Sequence, residues 1–233
     1  MKKLVIIIFL FLNLFGFSQT PFFTFPTIPK SADSLKNFVP TNWKILDSIV
    51  PFNLTKENIK GFAMVIEAND SLSFNDTICF SDQPFYPKML LIVFKQPNGK
   101  FTLSTISSKI FGQCNWGIGG SDPFNGISIK RDTLDVQFLD GGTQRNYTSY
   151  LFSYQKNNWY LVEAEGFGFE VGQDGSTTEN LNLVTGVKES YQQSGIGDGK
   201  ITNDTKINIS IEPLIKIEDI DEENYTSIFH DEN

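Results

Sequence analysis

Apolar and polar residues alternate over much of the chain with a period of two, the pattern of a β-strand that buries one face. The run 133–138 is an example, in which three apolar residues alternate with three polar ones: Leu134, Val136 and Phe138 against Thr133, Asp135 and Gln137. Such runs, and short wholly apolar ones such as MLLIVF at 89–94, recur at short intervals with turn residues between them. This spacing predicts an all-β fold, mainly an antiparallel meander.

Four turns are predicted between these runs. Pro97-Asn98-Gly99 gives the clearest signal, because Asn-Gly accepts the positive φ angles that tight hairpins need. The other turns are centred on Arg131-Asp132, Asn157-Asn158 and Thr185-Gly186. Strands joined in this way fit a sandwich, an open barrel or a propeller-like stack of sheets.

One segment, SADSLKNFVPTNW from residue 31, predicts a helix. Ser31 or Asp33 can cap its first turn. Leu35 and Phe38 fall on one face, and Pro40 ends the pattern. We therefore expect a short N-terminal helix ahead of the first long strand.

The first residues have the features of a secretory signal peptide. Lys2 and Lys3 precede an apolar run at 4–17, and small residues follow, with cleavage expected after Ser18. The apolar run is shorter than the roughly 20 residues that a membrane-spanning helix needs, and no cysteine follows for a lipid anchor. The sequence thus predicts a periplasmic or secreted protein without a membrane span after cleavage.

The rest of the chain divides into three parts by composition. Residues 19–30 are rich in proline and predict an extended linker, and 31–215 predict a single β domain. Residues 216–233 are acidic, with seven acids from Glu218 onward and no lysine or arginine among them, which predicts a solvated C-terminal tail. The net charge of −8 disfavours a nucleic acid as partner, because such binding relies on basic residues.

The sequence holds two cysteines, Cys79 and Cys114. In an exported protein an even number of cysteines makes a disulfide plausible, and this bridge would stabilise the fold by about 3–4 kcal/mol. Two buried thiols in neighbouring strands are the alternative.

In the stretch 53–61, oxygen-bearing side chains have the spacing of a calcium-binding loop, but the acids that such a loop needs are missing. Asn53, Thr55 and Glu57 occupy alternate positions, Asn58 replaces the usual glycine, and Gly61 stands where a further carboxylate might close the shell. Calcium prefers several anionic oxygens, so we expect a turn that keeps the shape of such a loop and holds no metal.

The sequence offers little for catalysis. His230, the sole histidine, lies in the acidic tail, and no nucleophile motif or phosphate-binding loop is present. Glu163 and Glu165 are two residues apart, so on a strand both point to one face, as in a carboxylate pair that acts on glycosides. A solvent-facing strand surface backed by Leu161 and Ala164 is the simpler interpretation. We expect no enzyme and no cofactor.

The loop 113–124 is the predicted contact surface. It is rich in glycine and contains Asn115, Trp116 and Asp122, and exposed loops on a rigid β scaffold often carry function. A buried Trp116 that covers one end of the sheet is the alternative, and Asp122 before Pro123 is typical of a turn. Arg145 in the segment GGTQRN completes the predicted binding residues.

Several segments in order, FVPTNWKILDS, the loop before GFAMVIE, LLIVF, GGSDPFNGISI, TSYLFSYQKNNWYLVEAE and LNLVTGVK, resemble a family of exported bacterial β-proteins. That family is akin to the calcium-loop repeats of FG-GAP/VCBS type. The resemblance implies a compact antiparallel β fold and brings no activity with it. The chain departs from the family pattern at Asn53, Glu57 and Asn58, and at Gln144-Arg145-Asn146, where a Trp-rich turn is common.

Two functions follow as expectations. The first is a non-catalytic envelope protein that binds a protein or a glycan through surface loops. The alternative is an inhibitor or immunity protein whose acidity blocks a basic toxin or hydrolase.

Overall fold

The computed structural model describes residues 23–54, 59–71, 83–112, 115, 117–130, 132–172, 175–194, 200–209 and 214–220. Within these residues the chain forms twelve β-strands and a few 3₁₀ turns, and no α-helix. Strands neighbouring in each sheet are antiparallel, and nearly all are also consecutive in the chain. The all-β meander predicted from the alternation is confirmed.

The first sheet has five strands in the order β1-β5-β4-β3-β2. Their bounds are β1 Ser31–Ala32, β2 Trp43–Leu54, β3 Ile59–Ala68, β4 Lys88–Lys95 and β5 Phe101–Ser107. The second sheet has seven strands in simple sequence order, β6 to β12. Their bounds are β6 Phe124–Lys130, β7 Thr133–Gly141, β8 Gln144–Gln155, β9 Asn158–Glu170, β10 Ser176–Asn182, β11 Val187–Gln193 and β12 Ile201–Asn208.

The two sheets pack face to face as a sandwich, and neither closes into a barrel. One face of each sheet contributes to a shared apolar core. From the first sheet come residues such as Val65, Leu90 and Ile92, and from the second Val136, Phe152 and Leu161, all fully buried. The alternation of Leu134, Val136 and Phe138 therefore faces this core.

The first sheet is buried on its other face as well. Met64, Ile66, Met89, Leu91 and Val93 form a second core there, which the N-terminal segment covers with Ile28 and Phe38. Burial on both faces explains why strands β3 and β4 are continuously apolar and do not alternate. The described part of the predicted linker thus packs on the domain.

The segment predicted as an N-terminal helix holds a single 3₁₀ turn, Leu35–Phe38. Ser31, expected to cap a helix, lies in β1 and pairs with Thr102. Residues 31 and 32 pair with β5, and the helical part of the segment is limited to the 3₁₀ turn. The turn still buries Phe38 completely.

The predicted hairpin turns lie where glycine, asparagine and aspartate adopt positive φ. Gly99 has φ 83° between β4 and β5, Asp132 has φ 64° between β6 and β7, and Gly186 has φ 66° before β11. The turn expected at Asn157-Asn158 falls one residue earlier, on Lys156 and Asn157, both with positive φ.

The first residues of the predicted acidic tail are part of the fold. Ile217 and Ile220 are completely buried in the shared core. The Ile217 N–H donates to the Trp159 carbonyl at 3.0 Å, and the Ser107 hydroxyl donates to the Ile217 carbonyl at 2.8 Å. The packed chain therefore extends through residue 220, and 221–233 lie outside the described residues.

Candidate functional site

The second sheet carries a polar cluster on its outer face, the face turned away from the core. Because Leu134, Val136 and Phe138 point to the core, their neighbours Asp135 and Gln137 point outward. The strand register brings further residues of β6, β8 and β9 to the same face. The polar cluster consists of Ser128, Lys130, Asp135, Gln137, Tyr147, Ser149, Glu163 and Glu165.

Asp135 is the most deeply buried acid of this cluster, with 3% of its surface exposed. Its Oδ2 accepts hydrogen bonds from the Ser128 hydroxyl at 3.1 Å and the Gln137 amide at 2.6 Å. Its Oδ1 accepts from the Ser149 hydroxyl at 2.5 Å. A buried carboxylate needs such partners to be stable. The three bonds join β6, β7 and β8 and fix the direction of the acid.

Lys130 and Glu165 form an ion pair that crosses the sheet. The Lys130 ammonium lies 2.6 Å from Oε1 and 2.5 Å from Oε2 of Glu165. Strands β7 and β8 lie between β6, which carries Lys130, and β9, which carries Glu165. The strand register places Lys130 nearly level with Tyr160, which precedes Glu165 in β9. On a flat sheet their Cα atoms would be roughly 20 Å apart, given a strand spacing of about 4.8 Å and a rise of about 3.3 Å per residue. Two side chains cannot span that distance, so the sheet curves and its outer face is concave here.

Tyr147 stands beside both acids. Burial raises the pKa of its hydroxyl above the ordinary tyrosine value, and the negative charges of Asp135 and Glu165 raise this pKa further. The hydroxyl therefore stays protonated at neutral and mildly alkaline pH and is available as a hydrogen-bond donor.

Aromatic rings extend the outer face beyond Tyr147. Phe167 is the cross-strand partner of Tyr147, and Phe169 is the partner of Arg145. The ring centroids of Phe167 and Phe169 are 5.9 Å apart, and 37% of Phe167 is exposed. Tyr147, Phe167 and Phe169 are here named the aromatic cluster. Of the residues predicted to bind, Arg145 is the one that the fold places at this site.

The outer face thus joins one exposed and two half-buried aromatic rings to oriented carboxylates within a concave surface. Sugars suit such a surface, because their C–H faces pack on aromatic rings and their hydroxyls bond to carboxylates and amides. Glu163 and Glu165 share this face, since Ala164 between them is fully buried in the core. The alternation predicted for this pair is confirmed.

Two described residues of the loop 113–124, Asn115 and Asp122, contact the scaffold. Asn115 is buried, and its amide donates to the carbonyls of Gln83 at 3.3 Å and Pro84 at 3.1 Å. Asp122 Oδ1 accepts the Phe124 N–H at 3.0 Å, as a turn-forming aspartate does. These two residues anchor the loop, and Trp116 lies outside the described residues.

The second carboxylate oxygen of Asp122, Oδ2, belongs to a charge cluster around the buried Lys88. The Lys88 side chain is 2% exposed, and its ammonium lies 2.5 Å from Asp122 Oδ2 and 3.4 Å from Glu67 Oε2. It also donates to the Tyr86 carbonyl at 3.1 Å and lies over the Phe85 ring. Every strong interaction of this lysine is internal, so the cluster serves the fold.

The remaining predicted sites are described only in part. Cys79 and Cys114 lie outside the described residues, as do 55–58 of the calcium-like stretch. Asn53 is exposed at the end of β2, and Gly61 lies within β3. Among the residues that the structure describes, no group of three or more His, Cys, Asp and Glu side chains could hold a metal ion.

A cavity of about 240 Å³ lies at one end of the core. It is lined by Phe52, Asn53, Ile129, Asp132, Leu134 and Trp159. The volume is below the range of about 300–1,000 Å³ usual for ligand pockets.

Sequence reasoning missed Asp135, Lys130 and Tyr147. Asp135 looked like an ordinary outward polar residue of an alternating strand, and its burial depends on donors from two other strands. Lys130 and Glu165 are distant in the chain and in register, so only the curvature of the sheet brings them together. Phe167 and Phe169 in GFGFE were the available signal, since aromatic residues at alternate positions can share a face.

No family model matches the chain, and no curated protein or solved structure does either. The resemblance to FG-GAP/VCBS-type repeats stays a prediction. In the part of the chain that the structure describes, no helix is long and apolar enough to cross a membrane.

Proposed function

We propose that this chain is an exported, non-catalytic protein of the cell envelope that binds a glycan on the concave outer face of its second sheet. The signal-peptide features of residues 1–18 support export to the periplasm or beyond. One juxtaposition carries the proposal: the aromatic cluster, with the exposed ring of Phe167, adjoins the acids Asp135 and Glu165. The binding surface is thus a sheet face, with the loops in a supporting role.

The engagement of the acids favours binding over catalysis. Glycoside hydrolysis needs one protonated acid and one free carboxylate on either side of the bond. Asp135 already accepts three hydrogen bonds, and Glu165 is neutralised by Lys130. Glu165, whose side chain is 29% exposed, remains accessible to a sugar hydroxyl, whereas the buried Asp135 orients the polar side chains of Ser149 and Gln137 around it.

The test is binding of the purified chain to polysaccharides: cellulose, chitin, peptidoglycan sacculi, xylan and mannan, by pull-down and then calorimetry with soluble fragments. Phe167→Ala should weaken binding at least about tenfold, as truncation of a central aromatic residue does. Phe25→Ala is the matched control, because Phe25 is 38% exposed but lies on the N-terminal segment. Glu165→Gln should also weaken binding.

Three outcomes would overturn the proposal. The first is that no polysaccharide binds, and the second is that Phe25→Ala weakens binding as much as Phe167→Ala. Release of reducing sugar by the wild-type chain would overturn its non-catalytic part. A tight, salt-sensitive complex with a basic protein in place of glycan binding would favour the inhibitor alternative. The net charge of −8 supports that alternative.

A further inference from the structure

The outer edge of β12 is an unpaired strand edge in the described part of the molecule, and its register with β11 is regular from Asn208 to Asn203. At the ends of the first sheet, β1 has two residues and β2 is irregular at two points. The β6 edge is engaged by β2, because the Ile127 N–H donates to Asp47 Oδ2 at 2.9 Å. β12 has eight residues, and no described strand pairs with its outer side.

The backbone groups that β12 presents outward follow from its register. The Ile209 N–H donates to the Gly186 carbonyl at 2.8 Å, and β11 and β12 continue in antiparallel register from there. Hydrogen-bonded and non-hydrogen-bonded pairs alternate in such a ladder. Thr205 therefore bonds toward β11, whereas Asp204 and Lys206 direct their N–H and C=O groups to the free edge.

We propose that this edge pairs antiparallel with β12 of a second copy of the chain, about a two-fold axis at Thr205. In this register Asp204 of each copy lies opposite Lys206 of the other, which forms two opposite-charge cross-strand pairs. Moving the axis to Asp204 or to Lys206 would put like charges opposite each other, which is destabilising. Among these three registers, the charges of the edge favour the one centred on Thr205.

Further charges extend these pairs across the joined sheets. Lys206 already contacts Glu189 of β11, its Nζ lying 2.6 Å from Glu189 Oε1. In the proposed dimer Lys206 sits between this acid and Asp204 of the second copy, so the charges alternate along one row. The two-fold axis stands perpendicular to the sheet, so the outer faces of both copies point the same way.

Analytical ultracentrifugation tests self-association. Because the interface is well below the standard size, we expect a dissociation constant of roughly 10–100 µM. Asp204→Lys should weaken the dimer at least about tenfold, since like charges then face each other. Adding Lys206→Asp to Asp204→Lys restores opposite charges and should restore association. Asp204→Pro, at a position whose N–H points outward, should abolish the dimer and leave the monomer folded.

A cysteine cross-link tests the register itself. Thr205→Cys places two thiols at the axis, where directly opposite Cα atoms of a non-hydrogen-bonded pair are about 4.5 Å apart, within disulfide reach. We expect a disulfide between the two position-205 peptides in non-reducing peptide mass spectrometry. Lys206→Cys is the control that should not cross-link to itself.

A chain that stays monomeric up to about 500 µM would overturn the proposal. Association of equal strength in the Asp204→Lys variant, or absence of the position-205 cross-link from a chain that dimerises, would overturn it as well. The proposal does not depend on glycan binding, and each of these measurements is made without a glycan.

Discussion

Gly61 of β3 lies directly opposite Phe52 of β2, and the Phe52 ring occupies the space that a side chain at position 61 would fill. A Cβ atom at Gly61 would come within 2.2 Å of Phe52 Cζ. The ring in turn packs edge-on against Trp159, with centroids 5.9 Å apart. The glycine in the calcium-like stretch 53–61 thus has a packing role, where a carboxylate ligand would collide with the core.

Gly61→Ala should destabilise the fold by about 1–3 kcal/mol, because overpacking forces the Phe52 ring out of its position. In a domain of this size each kcal/mol lowers the melting temperature by roughly 2–4 °C. Thermal unfolding followed by circular dichroism measures the effect.

Gly142→Ala is the matched control, because a Cβ atom at Gly142 meets no atom within 4 Å. Equal melting temperatures for the two alanine variants would contradict the packing role of Gly61.

Lys88→Met should cost about 3 kcal/mol or more, since it leaves the buried carboxylate of Glu67 without one of its two cations. Urea unfolding of the variant gives this free energy. Lys100→Met removes an exposed pair with Asp33 and should change stability by less than about 1 kcal/mol. A Lys88→Met variant as stable as Lys100→Met would show that the ion pairs of Lys88 contribute no net free energy to folding.

Asp135→Asn should lower the free energy of unfolding by about 1–3 kcal/mol, because the new amide cannot accept from all three donors. Glu163→Gln on the same face is the comparison, since Glu163 is only partly buried. Chemical denaturation of both variants at pH 7 measures their free energies of unfolding. Equal stabilities would mean that the three bonds to Asp135 contribute nothing net.

The raised pKa of Tyr147 predicts a loss of stability in alkali. The folded state holds this proton more tightly than the unfolded chain, so the stabilisation is complete below the ordinary tyrosine pKa near 10. It decreases as the pH rises through the folded-state pKa. The free energy of unfolding of the wild type minus that of Tyr147→Phe should therefore fall above about pH 10. A difference that is constant with pH would contradict the shifted pKa.

Periodicity and turn chemistry were sufficient to predict the strands and the meander. The spacing of Leu134, Val136 and Phe138 was sufficient to predict their strand. The freedom of Gly99 at positive φ was sufficient to predict its turn. These local signals also predicted an N-terminal helix, where the structure has a 3₁₀ turn, because Ser31 pairs with Thr102, a residue far along the chain. Local propensity yields to such long-range pairing.

The candidate site depended on relations that no single segment encodes. Lys88 borders an apolar run, and the residues next to it in the sequence do not indicate that Glu67 and Asp122 will form ion pairs with it. Lys130 reaches Glu165 only on a curved sheet. Buried polar networks join several strands, so their members become visible once the register is known.

The burial of Ile217 and Ile220 has a consequence for the order of events during synthesis. The shared core contains residues from β2 through to Ile220. The packing between the two sheets is therefore incomplete until residue 220 is available. A nascent or truncated chain that ends earlier exposes apolar surface and cannot complete the sandwich. Closure of the fold therefore waits until residue 220 has been made, and until then the core-facing apolar surfaces of the sheets stay exposed and open to chaperones.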